Sequence, residues 1–128
     1  MPKTTAPKPA TAKKILIVED EGEMCLLLNI ILDDKQLELD HVENLGRATE
    51  YLEKEKPSLI ILDNRLPDGL GVDYISYIKD NYPGTRIIMI SGYGASVKDT
   101  AMKNGADVFL EKPFTKDQIY NAIVELTN

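Results

Sequence analysis

The stretch Leu59-Ile60-Ile61-Leu62-Asp63-Asn64-Arg65-Leu66-Pro67-Asp68-Gly69 decides the fold. Four consecutive large apolar residues run straight into an aspartate, and the segment that follows is broken by Pro67, Gly69 and Gly71. A short apolar run bounded by turn residues reads as a strand covered on both faces, as in the middle of a parallel sheet. Its end puts the Asp63 carboxylate at the sheet edge. Taken alone, Asp63 reads equally well as a turn or cap residue, because aspartate is common where strands stop. Two other strands that end in charged residues shift that balance.

On the N-terminal side, Lys14-Ile15-Leu16-Ile17-Val18 is a β-branched run, the first strand, and it ends in Glu19-Asp20-Glu21-Gly22. Met24, Leu27, Leu28 and Ile31 then recur at helical spacing. They predict a first helix that buries those four and stops near Asp33-Asp34. Leu26 and Ile30, with Cys25 nearby, are left off that stripe. Leu37 to Val42 is a weaker, alternating second strand carrying His41. Leu45, Ala48 and Leu52 mark a second helix, closed at Lys56-Pro57, where proline forbids continuation.

On the C-terminal side, Val72, Ile75 and Ile78 give a third helix that ends at Asn81 and Pro83-Gly84. Arg86 to Ile90 is a fourth strand running into Ser91-Gly92-Tyr93-Gly94. Ser96 with Asp99 has the spacing of a capping box opening a fourth helix, which carries Val97 and Ala101 and stops at Asn104-Gly105. Asp107 to Leu110 is a fifth strand, followed by Glu111-Lys112-Pro113. Thr115 with Gln118 forms a second capping box, and Ile119, Ala122, Ile123 and Leu126 continue the last helix.

Strand and helix alternate five times. That pattern predicts an α/β fold: a doubly wound, five-stranded parallel sheet between two helical layers, with right-handed crossovers and strand order 2-1-3-4-5. Residues 13–128 form the domain. Residues 1–12, built from Lys, Thr, Ala and Pro with no large apolar residue after Met1, read as a flexible tail. The 128 residues suit one domain, and 43% hydrophobic content suffices for one core. With 15 basic and 21 acidic residues the net charge is −6, which argues against a nucleic-acid backbone or an anionic membrane as partner. A single cysteine, Cys25, excludes an internal disulfide. No apolar run reaches the length of a membrane span, and the first fourteen residues lack the apolar centre of a secretion signal. These features predict a cytoplasmic protein.

In such folds ligands bind beyond the carboxyl ends of the strands, where strand order reverses. Strand one ends in Glu19-Asp20, strand three in Asp63, strand four in Ser91 and strand five in Lys112. Strands one and three are neighbours in this order, so their carboxylates crowd. Two carboxylates about 4 Å apart repel by roughly 4 kcal/mol at an effective dielectric near 20. A cluster of this kind holds an extra proton or binds a cation, and few protein ligands with open positions favour Mg²⁺ over a caged Ca²⁺. A dinucleotide or FMN site needs a glycine-rich turn after the first strand, where this chain puts four acidic residues. There is no Walker A pattern. Ser91 has only His41 as a candidate base, outside any G-x-S-x-G context. A dehalogenase-type phosphatase would carry a second aspartate two residues after the first; here that position is Arg65. What remains is an aspartate that accepts a phosphoryl group, for which an ionised carboxylate needs no general base. Mg²⁺ would bridge the carboxylates and the phosphoryl oxygens, Lys112 would offer a point charge, and Ser91 a hydroxyl.

The stretches IVED (Ile17 to Asp20), LDNRLPDG (Leu62 to Gly69), ISG (Ile90 to Gly92) and FLEKPF (Phe109 to Phe114) together resemble the receiver domain of bacterial-type response regulators, over Lys13 to Asn128. The resemblance implies a flavodoxin-like sheet with Asp63 as phosphoacceptor. Asp20 would be a direct Mg²⁺ ligand, Glu19 would act through water, and the backbone carbonyl of Arg65 would be a further ligand. It makes Ser91 and Phe109 the switch pair and Lys112 the charge that meets the phosphoryl group. Phe109 lacks the hydroxyl of a tyrosine, so any switch through it works by packing. Arg65 and Tyr93, two residues after Asp63 and Ser91, would control access of water to the phosphate. A cis bond between Lys112 and Pro113 is implied as well.

The function that follows is a receiver taking phosphate from a sensor histidine kinase or a histidine phosphotransfer protein, and signalling by conformational change. It would catalyse only its own phosphotransfer and dephosphorylation. Cys25, Leu26 and Ile30 would dock the donor, and the surface from the fourth to the fifth helix would meet an output partner. The chain reads either as a free-standing regulator or as the receiver of a longer protein. The competing reading is an interaction module of the same fold that works without phosphorylation.

Overall fold

The computed structural model describes residues 12–92 and 94–127. Its elements run β1 (Lys13–Val18), α1 (Gly22–Ile31), β2 (Leu37–Val42), α2 (Leu45–Lys54) and β3 (Leu59–Asp63). Two short strands, β4 (Arg65–Leu66) and β5 (Gly69–Leu70), precede α3 (Gly71–Asn81). Then come β6 (Arg86–Ser91), α4 (Ala95–Asn104), β7 (Val108–Glu111) and α5 (Lys116–Thr127). The five long strands form one parallel sheet in the order β2-β1-β3-β6-β7, the expected 2-1-3-4-5 arrangement. The expected tail lies outside the described residues except for Ala12.

Side chains alternate across each strand, so each long strand feeds two cores. On one face Leu16, Val18, Ile60, Leu62, Ile87 and Met89 pack against Ala48 and Leu52 of α2, Val72, Ile75 and Ile78 of α3, and Ala101 of α4. On the other, Ile15, Ile17, Leu59, Ile61, Ile88 and Ile90 pack against Leu28 and Leu32 beside α1 and against Ile119, Ala122 and Ile123 of α5. All four apolar residues of β3 are fully buried, as the opening stretch requires of a central strand. Each such side chain contributes roughly 2 kcal/mol of transfer free energy.

Local signals decide the element ends. The Thr115–Gln118 capping box forms: Thr115 N–H donates to Gln118 Oε1 at 2.8 Å, and Gln118 N–H to Thr115 Oγ1 at 3.1 Å. Gly105 closes α4 in the left-handed region at φ 118°, which a side chain rarely adopts.

Three expectations are corrected, and one segment has structure that the sequence does not signal. Ser96 does not cap α4, because the helix begins one residue earlier, at Ala95, and Gly94 occupies the N-cap with no side-chain bond. The Gly94 carbonyl already accepts from Val97 N–H at 3.1 Å, so Ser96 lies inside the first turn. Leu27 is not core but 43% exposed. Leu28 and Leu32 are the buried residues on this side, with Met24 and Ile31 half-buried beside them, and this arrangement turns Leu27 outward. The last strand starts at Val108 rather than Asp107, whose carboxylate instead accepts from Ile87 N–H, Lys79 and Arg86 below the sheet. Finally, the segment after Asp63 is a two-stranded hairpin pairing Arg65 with Leu70 and Leu66 with Gly69. Two-residue strands leave no periodicity to read.

Candidate functional site

Sheet register brings the strand ends together. Val18 pairs with Leu62, Asp63 with Ile90, and Ser91 with Glu111. Glu19, Asp63, Ser91 and Lys112 therefore emerge at one edge. An open cavity of about 370 Å³ there is lined by Asp20, Glu21, Asp63, Arg65, Ser91, Gly92 and Lys112.

Asp63 is seated from behind by Asn64. The Asn64 N–H donates to the Ile90 carbonyl at 3.1 Å, its carbonyl accepts from Gly71 N–H at 2.7 Å, and its Oδ1 accepts from Val72 N–H at 3.0 Å. Asn64 was not singled out from the sequence. The signal available was an amide directly after a buried strand-end aspartate and just before a helix, where Asn serves well as a local acceptor.

Lys112 is the centre of the charge pattern. Its Nζ lies 3.0 Å from Asp63 Oδ1, 3.5 Å from Glu19 Oε2 and 3.3 Å from Glu21 Oε1. Its own N–H donates to the Ser91 carbonyl at 2.8 Å, and the peptide bond to Pro113 is cis, as expected. Burial works against the ammonium, yet the bond to Asp63 and the charges of Asp63, Glu19 and Glu21 outweigh it and raise its pKa. Glu21 entered the sequence reading only as part of an acidic run; the structure makes it a third partner of Lys112.

The carboxylates respond to the same geometry. Glu19 is fully buried, and its Oε1 accepts from Glu21 N–H at 3.1 Å. Burial, reinforced by the charge of Asp63, pushes its carboxyl up to about 7. Burial also raises the Asp63 carboxyl, against the pull of Lys112. One oxygen from each of Glu19, Asp20 and Asp63 falls within a mutual 4.8 Å. Three hard oxygen donors at this spacing, two of them buried beside a single ammonium, fit a divalent cation such as Mg²⁺. Ionising all of them without one is costly.

The other candidates divide. Ser91 is buried at the cavity and Arg65 is exposed at its rim. Phe109 is half-buried against the α2–α3–α4 core. Leu26 and Ile30 are 63% and 66% exposed, and Cys25 is half-buried with its Sγ 3.5 Å from the Glu19 carbonyl oxygen. Tyr93 lies outside the described residues. His41 is on β2 and does not line the cavity.

The family model for the response regulator receiver domain matches residues 15–124. The chain belongs to the response regulator receiver family. Receivers are the modules of phosphorylation-based two-component signalling. This receiver is 34% identical over 116 residues to the chemotaxis protein CheY of Halobacterium salinarum, covering 90% of this chain and 97% of that one. It is 40% identical over 102 residues to the response regulator protein PilR of Pseudomonas aeruginosa, covering 79% of this chain but only 23% of PilR. A crystal structure of a response regulator from Burkholderia pseudomallei, with a phosphorylated aspartic acid, calcium ion and citrate, superposes with a TM-score of 0.78 at 27% identity. That match covers 86% of this chain and 65% of the other.

Proposed function

We propose that this receiver takes a phosphoryl group onto Asp63 from a phosphohistidine donor, a sensor histidine kinase or a histidine phosphotransfer protein, in a Mg²⁺-dependent reaction. The observation that carries the proposal is Lys112 Nζ at 3.0 Å from Asp63 Oδ1 in a cavity where three carboxylates converge. The phosphorylated aspartic acid and calcium ion of the Burkholderia pseudomallei relative support it.

An Asp63 oxygen forms the new bond to phosphorus. The bond from phosphorus to the donor imidazole nitrogen breaks, and that nitrogen keeps the electron pair. Asp63 reacts as an ionised carboxylate, so no proton need leave it. Lys112 turns from the carboxylate to the phosphoryl oxygens, and Ser91 donates its hydroxyl to one of them. Asp20, Asp63 and the Arg65 carbonyl, with Glu19 behind, would hold Mg²⁺, which would supply charge neutralisation for the transferring group. Arg65 and Tyr93 screen the product from water. Movement of Ser91 toward the phosphate leaves space that Phe109 fills, and this repacking alters the α4–α5 face that meets the output partner. Cys25, Leu26 and Ile30 meet the donor. Among the described residues no helix is long and apolar enough to cross a membrane. That, with the acidic charge, supports a cytoplasmic protein acting on protein partners rather than on nucleic acid.

The test is uptake of label from acetyl phosphate and from a phosphorylated histidine kinase, with and without Mg²⁺. Wild type should label only with Mg²⁺, and Asp63→Asn should not label. Equal labelling of Asp63→Asn at the same rate would overturn the assignment.

A further inference from the structure

The hairpin after Asp63 is fastened at both ends. Its root is the Asn64 network that ties it to β6 and to the start of α3. Its tip is Asp68, whose Oδ1 accepts from Leu45 N–H and whose Oδ2 accepts from Gly46 N–H, each at 2.9 Å. Those are the first two amides of α2, and a helix start leaves such donors without backbone partners. The helix's own cap, Asn44, serves a different donor, Arg47 N–H, at 2.8 Å. The first turn of α2 is thus divided between a residue next to it in sequence and a residue more than twenty positions away. Leu45 adds a packing contact: its Cδ1 sits where a Cβ on Gly69 would approach within 3.1 Å.

Between the two fastenings lies β4, whose Arg65 lines the cavity with Asp20 and Asp63. The outer face of the same hairpin, through Arg65, Leu66, Pro67 and Leu70, shares a second depression with Asp20. The hairpin pairs Arg65 with Leu70 and Leu66 with Gly69, and among the described residues it joins no strand of the main sheet. A two-stranded ribbon of this length is not stable by itself, so its position depends on its ends.

We propose that Asp68 is a positioning residue for the divalent cation: by clamping the hairpin tip to α2, it holds the Arg65 backbone at the Asp20–Asp63 pocket. This rests on the reading of that pocket as a Mg²⁺-dependent phosphoacceptor site. Asp68 itself does not line the cavity. Its role is that of an outer partner that fixes a ligand-bearing segment.

The experiment is Mg²⁺ titration by calorimetry on the full chain, with thermal unfolding in the absence of Mg²⁺ measured alongside. Asp68→Ala should weaken Mg²⁺ binding by about tenfold, at the lower end of what outer-shell partners give. Asp68→Asn, which keeps one acceptor oxygen, should fall between Asp68→Ala and wild type, and it serves if the alanine variant does not fold. Asn44→Ala also removes a cap from α2 but leaves the hairpin clamp in place. It should lower the unfolding temperature and leave the Mg²⁺ affinity at the wild-type value. In acetyl phosphate labelling, Asp68→Ala should need more Mg²⁺ for half-maximal rate and approach the wild-type rate at saturation. Wild-type affinity in Asp68→Ala or, if that variant does not fold, in Asp68→Asn would overturn the inference while leaving the phosphoacceptor reading intact. So would a loss in Asn44→Ala as large as in Asp68→Ala. Absence of Asp63-dependent Mg²⁺ binding in the wild type would overturn both.

Discussion

A Cβ on Gly71 would stand 2.2 Å from the carbonyl oxygen of Asp63. The first residue of α3 and the proposed phosphoacceptor are thus packed backbone to backbone, and hydrogen is the only substituent that fits. Gly71 has no positive φ, so the requirement is steric and not conformational. Replacing a helical glycine by alanine ordinarily stabilises by up to about 1 kcal/mol. Here the obstructing atom belongs to a central strand that cannot yield, and overpacking of that kind costs about 1–3 kcal/mol. Gly71→Ala is therefore expected to lower the denaturant midpoint and to slow labelling of Asp63 from acetyl phosphate. Unchanged stability would show that the strand end can move aside.

This contact marks the limit of what was legible in the sequence. The four-residue apolar run of β3 and the strand–helix alternation are periodic signals, and they specified the sheet order and the gathering of Glu19, Asp63, Ser91 and Lys112 at one edge. Asn64, Gly71 and Asp68 act through a few specific hydrogen bonds or one close backbone approach, and no periodicity records those. The Leu27 error has the same root. Met24, Leu28 and Ile31 do face the core, and whether Leu27 or Leu32 joins them is decided only by the position of the sheet.

Glu19 gives the protein a pH dependence. Its carboxyl is pushed from an ordinary 4.5 up to about 7 by burial and the neighbouring Asp63 charge. Between those values the folded protein binds a proton that the unfolded chain has released, so stability falls as pH rises through that window. Burial raises Asp63 in the same direction. Lys112, also raised, titrates far above this range. His41 opposes, because burial lowers its pKa and its contribution to stability grows with pH. Without divalent cations, unfolding free energy is expected to drop by about 1–3 kcal/mol from pH 5 to pH 8. Saturating Mg²⁺ should restore most of the loss at pH 8 by binding the ionised carboxylates. Chemical denaturation of wild type and Glu19→Gln at both pH values checks this; a Glu19→Gln profile as steep as wild type would exclude Glu19 as the source.

The proposed screening of the phosphate by Arg65 predicts an effect on the lifetime of the phosphorylated state. Arg65 is exposed at the rim of the cavity, and a guanidinium pairs with phosphoryl oxygens better than it activates water. An exposed charge contact is worth up to about 1 kcal/mol, or roughly fivefold in rate. Arg65→Asn is expected to shorten the half-life of the phosphorylated protein by about two- to fivefold, and Arg65→Asn/Tyr93→Glu to shorten it further. Decay of purified, labelled protein after removal of the donor measures this, and an unchanged or longer half-life in the double variant would show that these side chains do not shield the phosphate.

The proposed docking of the donor on the exposed face of α1 can be separated from the chemistry. Leu26 and Ile30 are 63% and 66% exposed, and Leu27 at 43% widens the apolar surface that the sequence pattern had confined to two residues. α1 begins at Gly22, directly after Glu21, which lines the cavity, so this helix borders the pocket that holds Asp63. A contiguous apolar patch beside a reactive pocket has the character of a protein interface. A small donor needs none of it. Leu26→Glu removes an anchor side chain and buries a charge in any complex formed there. A central anchor is worth about 1–2 kcal/mol or more, which corresponds to a roughly tenfold slower transfer from a histidine kinase that phosphorylates the wild type. The rate with acetyl phosphate and the thermal stability should stay at wild-type values, because the Leu26 side chain is mostly in solvent in the free protein. Met102→Glu on α4, where the parent residue is 42% exposed, adds the same charge away from α1 and should leave both rates unchanged. Equal loss with both donors for Leu26→Glu would place its effect in the site itself, and equal loss with the kinase for both variants would reduce it to net charge.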